Sequence, residues 1–217
     1  MKEKFKTLFP VKSSLISLYI DLTAPIPFIS SEKLKIPSFF FFILGLFLII
    51  NITSDYVEIC ENMPTGMITV RGDLNSRKLK SAFSKVVGVT LPKERKVSLA
   101  ENSIAWMSPD ELLIICGYDN VSGLLKKLQK ELDDQHHMLV NVSDARALFE
   151  VSGAAVVEIS AKLAPVNVKT LEIGEIRRTH FSQVAAAFWL TSEQRMKLIC
   201  FSSVADYMFD LLKTSAV

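Results

Sequence analysis

The chain has 217 residues, of which 49% are hydrophobic, and its formal net charge at pH 7 is +2. This length suits one ordinary domain with an extension, or two very small domains. The positive charge comes from the first 54 residues, which carry six Lys against three Asp and Glu. The rest is nearly neutral, with 19 Lys and Arg against 20 Asp and Glu, so it has no electrostatic field that would attract nucleic acid.

The three cysteines, Cys60, Cys116 and Cys200, are far apart and odd in number. A zinc site or a disulfide framework would require cysteines at paired spacings, which this sequence lacks. We therefore expect free thiols that pack as small hydrophobic side chains in a protein of a reducing compartment.

Residues 36–54 form an uncharged and largely apolar segment. Its dense part, residues 39–50, is shorter than the roughly 20 apolar residues of a typical transmembrane helix. Three interpretations remain open: a membrane anchor, a targeting segment, or sequence upstream of a mis-assigned start. We therefore divide the chain into an amino-terminal extension over 1–54 and a main domain over 55–217.

The first half of the main domain alternates between short apolar runs and amphipathic segments. The predicted elements are a strand at 67–71, a helix at 76–87, strands at 103–107 and 112–116, a helix after Asn120, and a strand at 138–142. Asp73 or Asn75 is expected to cap the first helix. The continuous apolar run 112–116 is expected to be buried on both faces. The order β-α-β-β-α-β is that of a ferredoxin-like unit.

The second half repeats this plan loosely. The predicted elements are a strand at 147–151, a helix at 154–163, strands at 178–181, 184–190 and 196–201, and a final helix at 203–212. The order is therefore β-α-β-β-β-α. Because both halves mix helices with antiparallel hairpins, the predicted fold class is α+β.

Four residues are the candidates for a structural or interface role. Asp144 and Arg146 are two positions apart in a strand-like run, so they are expected to share a face and either pair with each other or fix a turn. Trp106 is expected to pack in the core or at an interface. Arg178 is expected at a strand edge beside His180, where an anion site is a less favoured alternative.

The other polar groups give no catalytic pattern. Asp110 and Glu111 are assigned to a hairpin turn, with no partner for general acid–base chemistry. His136 and His137 are adjacent and point in different directions, which favours a polar helix end over a metal site. The sequence has eight Gly and no glycine-rich phosphate loop. We expect no catalytic, cofactor-binding or metal-binding residue on this chain.

Seven segments, taken in chain order, resemble motifs of the sarcosine oxidase gamma subunit family. They are residues 66–74, 105–114, 141–146, 151–154, 163–168, 177–179 and 201–207. The second contains the pattern Trp-x-x-Pro-Asp-Glu, followed by Leu112 where an aromatic residue is common. The third reads Asn-Val-Ser-Asp-Ala-Arg, similar to the family's Asp-Val-Ser-Asp-x-Arg. Each motif is weak alone, whereas the ordered set is fairly specific.

This resemblance implies a fold related to the folate-binding domain of the glycine-cleavage T-protein. It also implies a non-catalytic, cytoplasmic subunit that packs against alpha, beta and delta subunits. The implied heterotetramer oxidises sarcosine to glycine and produces H2O2 with formaldehyde or methylene-tetrahydrofolate. FAD, FMN, NAD and tetrahydrofolate are implied on other subunits.

Two alternatives of other functional classes remain. One is a free-standing folate-binding protein of the same fold. The loop at 170–177 lacks the Lys-Gly-Cys-Tyr-x-Gly-Gln-Glu motif usual in those relatives, which argues against this alternative. The other is an interaction protein anchored in a membrane through residues 36–54.

Overall fold

The computed structural model describes residues 51–53, 57–61 and 64–216. All of them belong to one compact unit. Residues 1–50 and residue 54, which include most of the predicted apolar segment 36–54, lie outside the described residues. No helix within the described ranges has both the length and the apolar character needed to span a bilayer.

The described residues form eleven strands and four α-helices. In chain order they are β1 (Asn51–Thr53), β2 (Glu58–Glu61), β3 (Thr65–Gly72), α1 (Arg77–Val86), β4 (Val97–Ser98), β5 (Ser103–Ser108), β6 (Glu111–Gly117), α2 (Val121–Glu131), β7 (His137–Asn141), β8 (Arg146–Ser152), α3 (Val156–Leu163), β9 (Ile176–Phe181), β10 (Val184–Ser192), β11 (Arg195–Phe201) and α4 (Ala205–Ser215). The predicted α+β class is confirmed.

The strands form two antiparallel sheets. The first has the order β4-β5-β6-β3-β7, and the second has the order β1-β2-β8-β11-β10-β9. Strands β1 and β2 precede the first half in sequence but pair in the sheet of the second half, with β2 beside β8. Neither of these two strands was predicted from the sequence, and neither was the two-residue strand β4.

The two sheets pack face to face, with helices on their outer surfaces. The inter-sheet core contains Met67 and Leu113 from the first sheet and Trp189 and Ile199 from the second. Helices α1 and α2 cover the outer face of the first sheet around Phe83. Helices α3 and α4 cover the outer face of the second sheet in the same way. The result is four layers with three hydrophobic cores.

Strand β6 is buried on both faces, as predicted. Its residues Leu112 and Ile114 contact the core between the first sheet and helices α1 and α2, which we call the helix-side core. Leu113 and Ile115 face the other sheet. Alternate residues of a strand point to opposite sides, so a continuous apolar run is needed where both sides are covered.

The cap of α1 differs from the prediction. Ser76 is the N-cap residue, and its Oγ accepts a hydrogen bond from the Leu79 backbone N at 3.4 Å. Asp73 instead accepts from the backbone N of Asn75 at 2.9 Å, which stabilises the turn before the helix. Because this hydrogen bond lies before the start of the helix, the Asp73 side chain does not cap α1.

Local contacts connect the two sheets at both sides. On one side, the Met67 backbone N donates to Ser143 Oγ at 2.9 Å, which ties β3 to the segment between β7 and β8. On the other side, Val97 N donates to Gly174 O at 2.8 Å. Each bond attaches a segment that leads into the second sheet to a strand of the first sheet.

Candidate functional site

A buried carboxylate lies at the end of β6, nearest the β5–β6 hairpin. Glu111 is 3% exposed, and it shares a face of the strand with Leu113 and Ile115 of the inter-sheet core. The structure therefore corrects its assignment to the hairpin turn: Glu111 is the first residue of β6. A buried carboxylate is costly unless ion pairs and hydrogen bonds compensate its charge.

Three arginines from three strands surround this carboxylate. Arg71 Nη2 of β3 donates to Glu111 Oε2 at 3.0 Å. From the other sheet, Arg178 Nη1 of β9 lies 3.5 Å from Oε2, and Arg146 Nη2 of β8 lies 4.0 Å from Oε1. We call these four residues the arginine cluster. It connects the two sheets, and its three cations exceed its one anion.

Two members of the cluster have further polar partners. Arg178 Nη1 donates to the Met107 carbonyl oxygen at 3.2 Å, and Arg71 Nη1 lies 3.9 Å from Asp110 Oδ2. A hydrogen bond from Ser108 and the nearby Arg71 and Arg178 hold the pKa of the Asp110 carboxyl below its usual value. Asp110 is therefore ionised beside the cluster at neutral pH.

Arg146 is the most enclosed cation of the cluster. Its side chain is 18% exposed, and its guanidinium carbon lies 5.4 Å from the centre of the Phe201 ring, a cation–π distance. Burial lowers the pKa of Arg146, and repulsion by Arg178 adds to this, whereas Glu111 opposes it. Arginine titrates far above neutrality, so the guanidinium remains charged.

A cavity of about 420 Å³ opens beside the cluster. Its lining includes Met107, Arg146, Arg178, His180 and Phe201. This volume lies within the range of roughly 300–1,000 Å³ found for small-ligand sites. The cavity combines cationic groups with an apolar floor, a lining that suits a carboxylate attached to an apolar group.

The predicted candidate residues separate into two groups. Arg146 and Arg178 come together in the cluster, and His180 lines the same cavity. Trp106 is half-buried and packs on the helix-side core of the first sheet, away from the cluster. In the described ranges Asp144 forms no ion pair with the arginines of the cluster.

Asp144 and Arg146 do not pair with each other in the described structure. Asp144 lies in a 3-10 turn, and β8 begins only at Arg146, so the strand spacing assumed for the two residues does not apply. The Asp144 carboxylate accepts from the Tyr118 hydroxyl at 2.8 Å. Its carbonyl oxygen accepts from Ser202 Oγ at 2.9 Å. These two contacts lie at the turn that contains Asp144, and its expected role in fixing a turn stays a prediction.

Glu111 and Arg71 were not predicted from the sequence as members of a site. The signal for Glu111 was the alternation Glu111, Leu113, Ile115, which places a carboxylate on a core-facing side of the strand. A charged residue in that position requires a cationic partner. Arg71 ends the predicted strand 67–71, and the β3–β6 register places it opposite Glu111.

The remaining polar candidates occupy ordinary structural positions. His137 begins β7, and its Nδ1 lies 2.8 Å from the Gln135 carbonyl oxygen. Across the described ranges, no group of three or more His, Cys, Asp or Glu is arranged to hold a metal ion. Cys116 and Cys200 are buried free thiols, as predicted, whereas Cys60 is half-buried. Burial raises the pKa of Cys200 to about 11.

Solved structures with a similar fold include "Heterotetrameric Sarcosine Oxidase from Corynebacterium sp. U-96 in complex with pyrrole 2-carboxylate", with a TM-score of 0.69 and 20% identity over 76% of this chain and 86% of that chain. Glycine cleavage system aminomethyltransferase T from Bartonella henselae has a TM-score of 0.56 and 13% identity over 72% of this chain and 45% of that chain. At these identities the similarity concerns the fold, and it agrees with the predicted relation to the glycine-cleavage T-protein.

Sequence comparison identifies the family. Sarcosine oxidase subunit gamma from Corynebacterium sp. strain U-96 and from strain P-1 are each 24% identical over 132 residues, 58% of this chain. The match spans 63% and 64% of those two relatives, less than two thirds of their length. The sequence model of the "Sarcosine oxidase, gamma subunit family" matches residues 71–217. Because this match covers most of the chain, the chain belongs to the sarcosine oxidase gamma subunit family.

Proposed function

We propose that the chain is the gamma subunit of a heterotetrameric sarcosine oxidase and contributes no catalytic residue to it. The observation that carries this proposal is the family match over residues 71–217. The arginine cluster supports a non-catalytic role. Its one buried carboxylate, Glu111, is ion-paired to Arg71 and Arg178, an arrangement typical of a structural ion pair between packed strands.

In this proposal the complete complex demethylates sarcosine oxidatively. Its products are glycine, H2O2 and either formaldehyde or methylene-tetrahydrofolate. FAD, FMN, NAD and tetrahydrofolate bind to other subunits, and the complex is cytoplasmic. The contribution of this chain is a folded surface that holds the alpha, beta and delta subunits in position.

We assign the interface role to Arg146 and Arg178, and a structural role to Asp144 and Trp106. Arg146 and Arg178 line an open cavity next to the exposed ring of Phe201, and arginine and aromatic residues are enriched at protein interfaces. The Asp144 carboxylate accepts a hydrogen bond from the hydroxyl of Tyr118, which lies 26 residues earlier in the chain. We also propose that the family domain occupies 55–217 and that 1–54 is an extension, whose residues Asn51–Thr53 add β1 to the sheet edge.

Co-purification tests the subunit role. The tagged full chain, co-expressed with the alpha, beta and delta subunits of the same organism, is expected to retain all three in stoichiometric amounts. Purified alone, it is expected to show no flavin absorbance and to produce no H2O2 from sarcosine. A chain that remains single in the presence of these subunits, or that oxidises sarcosine unaided, would contradict the proposal.

The second candidate function is folate binding by the free chain. The similarity of its fold to that of aminomethyltransferase T favours this candidate. Calorimetric titration of the purified chain with tetrahydrofolate distinguishes the two candidate functions. Saturable binding by the chain alone would favour the folate-binding protein, whereas the subunit proposal expects no heat of binding.

A further inference from the structure

One end of the second sheet presents a cationic and apolar shelf, formed by Arg146, His180, Ala185 and Phe201, that the first sheet covers only in part. Arg146 and Phe201 lie opposite each other in the β8–β11 register, and His180 lies opposite Ala185 in the β9–β10 register. Arg146 shares its face of β8 with Leu148, which is buried between the sheets. The shelf is therefore a continuation of the inter-sheet face, and Phe201, 53% exposed, remains open there.

The charges around the cavity are unbalanced. Arg71, Arg146 and Arg178 approach the single buried carboxylate of Glu111. A second carboxylate, Asp110, lies beside Arg71, and its side chain is 63% exposed. With both carboxylates included, the group has an excess of one positive charge, and this excess lies at the cavity wall formed by Arg146 and Arg178.

Arg146 has the least satisfied guanidinium of the three. Arg71 makes a 3.0 Å hydrogen bond to Glu111, and Arg178 makes a 3.2 Å hydrogen bond to Met107. The nearest carboxylate oxygen to Arg146 is 4.0 Å away, and within the described ranges its guanidinium makes no hydrogen bond. A guanidinium carries five N–H donors, and the Arg146 side chain is 18% exposed, so these donors are accessible from the cavity. The donors of Arg146 therefore favour an acceptor from outside the chain.

The surroundings of the cavity resemble a protein interface more than a site for a free ion. Phe201 supports the Arg146 guanidinium, and Met138, 42% exposed, lies opposite Arg71 in the β3–β7 register. Arginine, methionine and aromatic side chains are enriched at protein interfaces, and residues of this kind form most binding hot spots. An inorganic anion would leave these exposed apolar side chains in water.

We propose that the cavity receives an aspartate or glutamate side chain of a partner subunit, which pairs with Arg146, while an apolar neighbour in the same partner segment packs on Phe201. This inference rests on the proposed subunit function. The incoming carboxylate neutralises the excess positive charge and supplies the acceptor that Arg146 lacks. Arg178, at the same cavity wall, adds a second cation to the carboxylate's surroundings.

Affinity measurements on the complex test the proposal. We expect the Arg146→Gln and Phe201→Ala variants of the full chain to bind the remaining subunits about tenfold more weakly than the wild type. Phe201 is half exposed, so its truncation tests the shelf without removing a core residue. The matched control is Arg195→Gln at the opposite end of β11, whose side chain is 60% exposed, and we expect a change of less than about twofold.

Zero-length cross-linking identifies the partner carboxylate. The Arg146→Lys substitution places an amine at the cavity, and a carbodiimide couples an amine only to a carboxylate in direct contact. Mass spectrometry of the assembled complex is expected to find the substituted peptide joined to an Asp or Glu of another subunit, and no such product in the wild type. A product with Glu111 alone, or no product at position 146, would overturn the proposal.

The binding measurements distinguish a failure of the proposed subunit role from a failure of the proposed contact between Arg146 and a partner carboxylate. If the wild-type chain binds none of the other subunits, the proposed function itself is wrong. If the wild type binds them and the affinities of Arg146→Gln and Phe201→Ala differ from the wild-type affinity by less than about twofold, the subunit role stands. The proposal that the cavity receives a partner carboxylate is then rejected.

Discussion

Arg71 and Glu111 lie directly opposite each other across the β3–β6 ladder, and their side chains form a 3.0 Å ion-paired hydrogen bond. The two partners differ in environment, because the Glu111 side chain is 4% exposed and the Arg71 side chain is 49% exposed. The carboxylate is thus buried at the end of the inter-sheet core while its closest cation reaches solvent. Arg146 and Arg178 approach Glu111 from the other sheet, so this one carboxylate joins both halves of the molecule.

The Glu111→Gln substitution is expected to lower the free energy of unfolding by about 2–3 kcal/mol. This value lies in the lower part of the range for broken buried ion pairs, because two of the three arginines remain partly solvated. This variant removes the negative charge of the side chain but keeps its shape. The loss of unfolding free energy therefore measures the effect of leaving the three arginines without their buried carboxylate. Urea unfolding followed by circular dichroism measures it.

The neighbouring Asp110→Asn variant is the control for this experiment. Its side chain is 63% exposed, so we expect a change within about 0.5 kcal/mol. Equal effects of the two substitutions would contradict a special role for the buried carboxylate.

Local patterns predicted most helices and strands but not the site. The apolar run of β6 follows from its burial on both faces, which the sequence expresses directly. Glu111 was assigned to the turn because Pro109 and Asp110 carry strong turn signals, and the strand alternation was not extended to the residue before Leu112. Its partners Arg146 and Arg178 come from a different sheet, and no local pattern records which residues two packed sheets bring together.

Two further differences have the same physical origin. Strand spacing was assumed for Asp144 and Arg146, yet Asp144 lies in a 3-10 turn, where its carboxylate accepts a hydrogen bond from Tyr118, distant in sequence. Strand β2 was not predicted because it is a short run that contains two glutamates, Glu58 and Glu61. It is a strand because β8 supplies its hydrogen-bonding partner, and that pairing joins segments far apart in the chain.

The Ser143→Ala substitution is expected to cost about 1–3 kcal/mol of unfolding free energy. The Ser143 hydroxyl is buried and accepts from the Met67 backbone N at 2.9 Å, so its removal deprives a buried donor of its partner. Thermal and urea unfolding measure the loss. In the control, Ser103→Ala removes an exposed hydroxyl contact to the Ala100 carbonyl and is expected to change stability by less than about 0.5 kcal/mol. A Ser143→Ala variant as stable as this control would show that the bond contributes nothing.

Thiol labelling of the folded protein is expected to modify Cys60 first. Cys60 is half-buried, whereas Cys116 and Cys200 are buried, and burial raises the pKa of all three thiols. With an aromatic disulfide reagent at about pH 8, where ordinary thiols are partly ionised, one thiol should react rapidly and the other two only after denaturation. The Cys60→Ala variant should lose the rapid phase. Rapid reaction of all three thiols in the folded state would contradict the burial of Cys116 and Cys200.

The Cys200 thiol is expected to make stability depend on pH in alkaline solution. Burial, and to a smaller extent Glu61, raise its pKa from 9.0 to about 11. The folded state keeps this proton where the unfolded state releases it, so its contribution is full below about pH 9 and is lost as the pH rises toward about 11. The difference in melting temperature between the wild type and Cys200→Ala should therefore shift against the wild type over this interval. A constant difference would exclude the raised pKa.

Gly66 and Gly123 are expected to respond oppositely to substitution by alanine. A Cβ atom on Gly66 would lie 2.5 Å from Val121 Cγ2 and 2.7 Å from the Gly117 carbonyl oxygen, so β3 and α2 could not keep their spacing. We expect Gly66→Ala to destabilise the protein by about 1–3 kcal/mol.

A Cβ atom on Gly123, within α2, would meet no atom within 4 Å. Gly123→Ala should therefore stabilise the protein by about 0.5–1 kcal/mol, since alanine restricts the unfolded chain and favours the helix. Urea unfolding of the two variants measures both signs in one experiment. Both substitutions replace glycine with alanine. Opposite signs of the change in unfolding free energy would therefore be due to the close approach of β3 to α2 and to the Gly117 carbonyl. A neutral Gly66→Ala variant would contradict that approach.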